Sequence, residues 1–193
     1  MGRRLARLRR VLEKEDVRSI SRRYFIANGF DGTLTSIGVV VGAYLSGIDE
    51  GLTVVAIGLG AAVGLGTSGV WSVWEIERAQ ALAEQERIEQ AMLTELEDTR
   101  VQREHRAAQI VHATASATGP TLAILLTLSP LALEGVVFTM LQSVLASIAV
   151  GVAILAAFGI YLASISKQRW YVAAVRMGLA GLVVAAINVF LPG

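Results

Sequence analysis

The chain has 193 residues, of which 54% are hydrophobic and 17% are charged, and its formal net charge is +1. Most of the charged residues fall within residues 3–23 and 75–106, so the other segments are far more apolar than the average suggests. Apolar runs of about twenty residues exclude an ordinary soluble core and predict membrane spans. Because the chain has no cysteine, disulfides and thiolate metal sites are excluded, and a bound metal ion would need oxygen or imidazole ligands.

The apolar runs predict an all-α polytopic membrane protein with five transmembrane helices and a cytoplasmic helical insert between the second and third. The spans are residues 24–46, 52–74, 107–128, 136–164 and 170–191. The insert contains no Gly or Pro and consists largely of strong helix formers. We therefore expect it to continue the second span as a helix and to bend back near residues 94–103.

This pattern divides the chain into four parts. They are a basic segment (1–23), the first two transmembrane helices (24–74), the acidic insert (75–106) and the last three transmembrane helices (107–193). In the basic segment, Leu5, Leu8 and Leu12 fall on one helical face among arginines. The segment is therefore either a helix lying on the inner leaflet or a disordered basic tail that only sets the topology.

The basic residues predict which side of the membrane each loop occupies. Residues 1–23 hold nine Lys or Arg against three acids, the insert holds five Arg, and the loop after the fourth span holds Lys167 and Arg169. The loops after the first and third spans hold no basic residue. The positive-inside rule then places the N-terminus in the cytoplasm and the C-terminus outside. The basic start is not expected to be a cleavable signal peptide, because the apolar run after it has full span length.

Asp31 is the charged residue that the first span should not tolerate. It lies eight residues beyond Arg23, which places it about 12 Å into the span at a rise of about 1.5 Å per residue. An aspartate at that depth costs about 2.5–3.5 kcal/mol on insertion scales. A carboxyl group there can hold a proton or a cation but not easily both, which suits an antiporter. Alternatively, a hydrogen bond to Asn28 or to another helix would make Asp31 a packing residue.

Further carboxylates continue from the end of the second span into the insert. Glu75 and Glu77 stand where the helix leaves the bilayer, where they either draw cations toward a path or only end the hydrophobic stretch. Two further pairs are spaced one helical turn apart and can converge on a hard divalent ion. These pairs are Glu86 with Glu89 and Glu95 with Asp98. Alternatively, they belong to a solvated helix face on which acids and arginines pair with one another.

The sequence holds no catalytic constellation. His105 and His112 are seven residues apart, lack the acidic residue that would complete a zinc motif, and are interpreted as interfacial histidines. There is no nucleophile elbow, no phosphate loop and no histidine-rich membrane box. There is also no surface of interleaved aromatic and basic residues. Neither an enzyme nor a nucleic-acid partner is therefore expected.

The stretch "FDGTLTSIGVVVG" in the first span resembles the signature of the vacuolar iron transporter family. The matching residues are Asp31, Gly32, Thr35, Gly38 and Gly42. The basic start, the five spans and the Glu-rich insert are similar to the family along nearly the whole chain. The resemblance implies a divergent, prokaryote-like member in a prokaryotic cell membrane. It also implies a homodimer that exports ferrous or related ions from the cytosol in exchange for protons, with Asp31 on the transport path.

The second span departs from the family pattern. Glu75 matches the family's glutamate, but Trp74 and Ile76 replace its glycine and aromatic neighbours. Trp71 stands where the family has a methionine, so a soft thioether ligand is missing. Glu86–Glu89 and Glu95–Asp98 echo the spacing of the family's cytoplasmic metal-binding glutamates.

Together these observations predict a divalent-cation transporter in which Asp31 binds the ion and Glu75 guides it at the cytoplasmic mouth. The acidic helix would collect ions before they reach the span. Fe²⁺ or Mn²⁺ would be the substrate, and no permanently bound cofactor is expected. Because every proposed ligand is a hard oxygen, we expect broad selectivity with both ions carried. Two alternatives stay open, a membrane-anchored metal-binding or structural protein without transport and an exporter of small organic cations through Trp71 and Trp74.

Overall fold

The computed structural model describes residues 14–92 and 100–190, apart from the side chains of residues 100–104. Within these residues the helices are α1 (Glu15–Leu45), α2 (Gly51–Met92), α3 (Arg100–Leu128), α4 (Met140–Ser166) and α5 (Trp170–Phe190). Each of the five is associated with a stretch long and apolar enough to cross a membrane. The predicted all-α fold with five transmembrane helices is confirmed.

Helix α1 starts earlier than the apolar run does. It begins at Glu15, so residues 15–23, which the sequence assigns to the basic segment, form its first turns. Glu15 and Asp16 lie in the first turn, where negative charge favours the helix dipole. The predicted face of Leu5, Leu8 and Leu12 lies outside the described residues.

Helix α2 is much longer than a membrane span requires. It continues without a break from Gly51 to Met92, over 42 residues, whereas about 20 residues cross a bilayer. The predicted helical continuation beyond Trp74 is therefore present. The next helix, α3, begins at Arg100, within the region where the sequence predicts the reversal.

The connection from α3 to α4 shortens the fourth span relative to the sequence prediction. A 3₁₀ turn, Leu131–Leu133, follows α3, and Gly135 adopts a φ of 77°. Helix α4 begins at Met140 rather than near residue 136 because Thr139 caps it. The Thr139 hydroxyl accepts from the Gln142 N–H, and the Gln142 side chain accepts from the Thr139 N–H, which satisfies two donors at the helix start.

Helix α1 packs closely against α3 through positions that have no room for a side chain. A methyl group added at Gly32 would lie 2.6 Å from Pro120 Cα of α3. One added at Gly29 would lie 3.5 Å from the Gly119 carbonyl oxygen of α3 and 2.8 Å from the Phe158 ring of α4. Gly119 of α3 lies directly against the backbone of Phe25. Glycines at such positions let two helix backbones approach each other in a membrane.

Helices α4 and α5 pack against each other and also contact α1. Gly159 of α4 faces the backbone of Ala173 on α5. Ile37 of α1 forms a buried cluster with Val41 and Leu155. One long side of α1 is therefore covered by α3 on one flank and by α4 and α5 on the other.

The opposite sides of α1 and α2 have no such cover. A methyl group added at Gly42, Gly60 or Gly64 would meet no atom within 4 Å. These glycines belong to the G-x-x-x-G patterns of the first two spans, yet within the described residues other glycines make the close contacts. These three glycines are therefore open to contact with groups outside the described residues, such as lipid or another chain.

Candidate functional site

Asp31 lies at an exposed position of α1. Its side chain is exposed, and so is that of Ala27 one turn earlier, whereas Gly32 and Thr33 beside it are buried. Ala27, Asp31, Thr35, Gly38 and Gly42 are three or four residues apart and therefore share one side of the helix. We call these five residues the Asp31 face.

The side chains around Asp31 do not hold it as a packing residue. Asn28, the predicted alternative partner, uses its amide nitrogen to donate a 2.6 Å hydrogen bond to Ser116 Oγ. Thr33 Oγ1 donates to the Gly29 carbonyl at 2.8 Å, and Ser36 Oγ donates to the Thr33 carbonyl at 2.8 Å. Among the described residues, none donates a hydrogen bond to Asp31 or forms an ion pair with it.

A second polar cluster lies at one end of the bundle, where α1, α2 and α3 meet. His112 Nδ1 lies 2.9 Å from Glu77 Oε1, and Tyr24 donates its hydroxyl to the same oxygen at 3.4 Å. The Tyr24 and His112 rings are 6.0 Å apart and tilted by 50°. We call Tyr24, Glu77 and His112 the Glu77–His112 cluster.

The histidine in this cluster is deeply buried but poorly satisfied. His112 is only 2% exposed, whereas His105 is exposed. The interfacial position predicted for both histidines concerns their depth in the membrane and stays a prediction. The Glu77 oxygen is close to Nδ1, yet neither imidazole nitrogen makes a hydrogen bond to a described residue.

Helix α3 supplies polar contacts to its neighbours once per turn on this side. Gln109 Nε2 donates to the Trp74 carbonyl at 2.7 Å, and Ser116 Oγ donates to the Gly69 carbonyl at 3.0 Å. With His112 between them, the polar residues are three and four positions apart and share a helix face. This spacing in the sequence is the signal that could have identified His112 as a buried residue.

Glu75 does not join either cluster. Its side chain is about half exposed and lies 4.0 Å from Arg78 Nη1 on the same helix. An exposed pair of this kind contributes little to stability. Glu75 therefore remains at the surface of α2, one turn from Trp71, which is 72% exposed.

The predicted pair Glu86 and Glu89 lies on the extension of α2. Gln85 Nε2 donates to Glu89 Oε1 at 2.8 Å, and Gln90 Nε2 donates to Glu86 Oε1 at 3.4 Å. Glu95 and Asp98, the second predicted pair, lie outside the described residues. In the part of the chain that the structure describes, no three His, Asp or Glu side chains are grouped as ligands of one metal ion.

A groove of about 890 Å³ separates the extension of α2 from the first turns of α3. Its walls carry Glu77, Glu84, Arg78, His105 and Arg106 among apolar side chains such as Ile88. Glu77 thus lies between the buried histidine and an open groove.

Comparison with known proteins identifies the chain. The VIT family model matches residues 71–192, which is more than half of the sequence. The chain belongs to the vacuolar iron transporter (VIT) family. VIT proteins are membrane transporters of divalent metal ions rather than enzymes, and the five apolar helices agree with a multi-pass member.

The sequence is also similar to the uncharacterized protein MJ0645 of Methanocaldococcus jannaschii. The two are 25% identical over 172 residues, which cover 88% of this chain and 86% of the relative. No solved structure matches the chain. The family match begins at residue 71, so the resemblance around Asp31 adds to it from a part of the chain that the match does not cover.

Proposed function

We propose that this VIT protein exports divalent iron and manganese ions from the cytosol in exchange for protons, with Asp31 as the residue that binds each in turn. The exposure of Asp31 on α1, without a partner among the described residues, carries the proposal. A purely structural aspartate would be packed and hydrogen-bonded. An aspartate that must exchange its ligand needs an open side.

The protein works as a homodimer in this proposal, and the Asp31 face lies between the two copies. An uncovered carboxylate facing lipid costs several kcal/mol, and a second copy would remove it from lipid. The other residues of the face are small, which lets helices approach closely. Two Asp31 carboxylates would then line one path.

The remaining predicted acids act before the ion reaches Asp31. The extension of α2 with Glu86 and Glu89 lies on the cytoplasmic side in this arrangement, together with Glu95 and Asp98. Oxygen ligands on a helix with arginines nearby favour weak, reversible binding, which suits ion collection. Glu75 would attract ions near the mouth, and the ions would remain substrates rather than permanently bound cofactors.

Ion uptake into proteoliposomes tests this function. Purified protein would be reconstituted, and uptake of Mn²⁺, Fe²⁺, Co²⁺ and Zn²⁺ measured with and without a pH gradient. We expect Mn²⁺ and Fe²⁺ to be carried, and the pH gradient to accelerate both. Absence of uptake for all four ions, or uptake indifferent to the gradient, would contradict metal transport or proton exchange respectively.

Position 71 tests how the protein selects among these ions. Trp71→Met introduces the thioether that the family resemblance implies, at a side chain that is exposed in a single chain. If position 71 faces the path, the variant should shift preference toward the softer ions. Wild-type protein that carries iron and rejects manganese would show that the thioether does not set selectivity.

A further inference from the structure

The Glu77–His112 cluster contains a buried imidazole whose environment does not suit a hydrogen bond. Both nitrogens lack a hydrogen-bond partner among the described residues, and the side chain is 3% exposed. A buried polar group without a partner destabilises the folded state, and nearly all such groups are satisfied in native proteins. The environment of His112 therefore calls for a ligand.

The position of Glu77 suits a cation better than a shared proton. A hydrogen bond requires the acceptor to lie close to the N–H direction, and the contact between His112 Nδ1 and Glu77 Oε1 does not qualify as a hydrogen bond. A divalent ion with bonds of about 2.0–2.1 Å accepts two adjacent ligands that are about 3 Å apart, since the ligands subtend roughly a right angle. The separation of 2.9 Å between His112 Nδ1 and Glu77 Oε1 matches that requirement.

We propose that Glu77 and His112 form a divalent transition-metal site of mixed carboxylate and imidazole character, reached from the groove between α2 and α3. Tyr24 is a positioning residue in this site, because its hydroxyl donates to the Glu77 oxygen. Water molecules from the groove complete the coordination. This proposal depends on the proposed function in one respect, namely that divalent metal ions are the ions that reach the site.

Access to the site comes through Glu77. Its side chain is 16% exposed and forms part of the groove wall, where Glu84 adds a second negative charge. Arg78 and Arg106 line the same groove and oppose a cation there. The site therefore holds its ion weakly and releases it, as a stage on a path must.

The site lies about two turns of α1 from Asp31. Tyr24 and Asp31 are seven residues apart, which is about 10 Å along the helix axis. The imidazole adds a nitrogen ligand to a set of ligands otherwise made of oxygen. Nitrogen ligands favour iron, cobalt and zinc over magnesium and calcium, so the site discriminates against the abundant hard cations.

Pulsed electron paramagnetic resonance of bound Mn²⁺ tests the site directly, because a coordinated imidazole modulates the echo through its ¹⁴N nucleus. The measurement uses the full chain in detergent, after removal of any polyhistidine tag. The sequence contains two histidines, so His105→Gln is a matched control on the same helix. We expect ¹⁴N modulation in wild type and in His105→Gln, and its loss in His112→Gln and in Glu77→Gln.

Every outcome decides the proposal. It is overturned if wild type binds no Mn²⁺, if bound Mn²⁺ shows no ¹⁴N modulation, or if His105→Gln removes the modulation. Should His112→Gln fail to fold, retention of the modulation in His105→Gln still assigns it to His112. Asp31→Asn should keep the modulation whether or not it transports, which separates failure of this site from failure of the proposed transport path.

Discussion

Asp31 and Glu77 are both carboxylates on membrane-associated helices, but their surroundings within a single chain differ. Glu77 lies against His112 and Tyr24 where three helices meet. Asp31 is exposed on α1, and no described residue donates a hydrogen bond to it or pairs with it. A single chain therefore places one acid among its own side chains and leaves the other exposed.

The glycines show the same contrast. Gly29, Gly32 and Gly119 lie where helices α1 and α3 touch, whereas Gly42 and Gly64 meet no neighbouring atom. The inner face of the bundle is completed by the chain itself. Gly42 and Gly64 are open in a single chain, so substitutions at these two sets of glycines should affect different properties.

The largest effect on stability is expected on the inner face, from Gly32→Val. The first added carbon would lie 2.6 Å from Pro120 Cα, and backbone cannot move aside as a side chain can. Overpacking of this kind costs about 1–3 kcal/mol, sometimes more, and we expect the upper end. Thermal unfolding in detergent measures it. A variant as stable as wild type would show that α1 and α3 are farther apart than the structure indicates.

A smaller loss of stability is expected from Glu77→Ala. The change removes the acceptor of the partly buried Tyr24 hydroxyl, and leaving such a donor unpaired costs about 1–3 kcal/mol. The groove gives Glu77 some access to solvent, so the lower half of that range applies. The matched control is Glu84→Ala in the same groove, which should unfold within a degree or two of wild type. Equal melting temperatures for both variants would show that the Glu77–His112 cluster does not stabilise the fold.

A substitution at the open glycine Gly42 should change the association of chains rather than the stability of one chain. Gly42→Leu places a bulky side chain where one copy has only open space, so the single chain should fold normally while dimers are lost. Size-exclusion chromatography with light scattering measures the mass in detergent. Ala153→Leu, at an exposed position of α4, controls for added bulk elsewhere. Dimers that persist in Gly42→Leu would show that this face is not the interface.

The smallest effect is expected from the acidic helix. Changing Glu86, Glu89 and Glu95 to Gln and Asp98 to Asn should abolish weak Mn²⁺ binding seen by calorimetry while leaving the melting temperature unchanged. The substituted amides keep an oxygen that accepts from Gln85 and Gln90 on the same helix, so the change costs the fold little. An unchanged titration would identify the acidic helix as a solvated face.

The five helices could be predicted from sequence because span length and apolar composition depend on the bilayer and not on tertiary contacts. Asp31 could also be identified from sequence, because the free-energy cost of inserting its charge into the bilayer depends on its position in the span and not on tertiary contacts. The start of α1 at Glu15 was missed because charged residues can extend a helix beyond the apolar stretch.

The partners of each residue could not be predicted, because they depend on which helices meet. The G-x-x-x-G patterns around Gly42 and Gly64 indicated close packing, yet Gly32 and Gly119 make the close contacts within the chain. His112 was interpreted as interfacial because its acidic neighbour, Glu77, lies on another helix. Only the packing of α2 against α3 brings those two residues together.

The central claim is that the uncovered carboxylate of Asp31 carries transport and not folding. The most direct test compares the initial rate of Mn²⁺ uptake by Asp31→Asn and Asp49→Asn proteoliposomes at equal protein content. Asp49→Asn removes the same charge from an exposed loop and should transport like wild type. We expect Asp31→Asn to lose at least about tenfold in rate with an unchanged melting temperature. Uptake by Asp31→Asn at the wild-type rate would contradict the account.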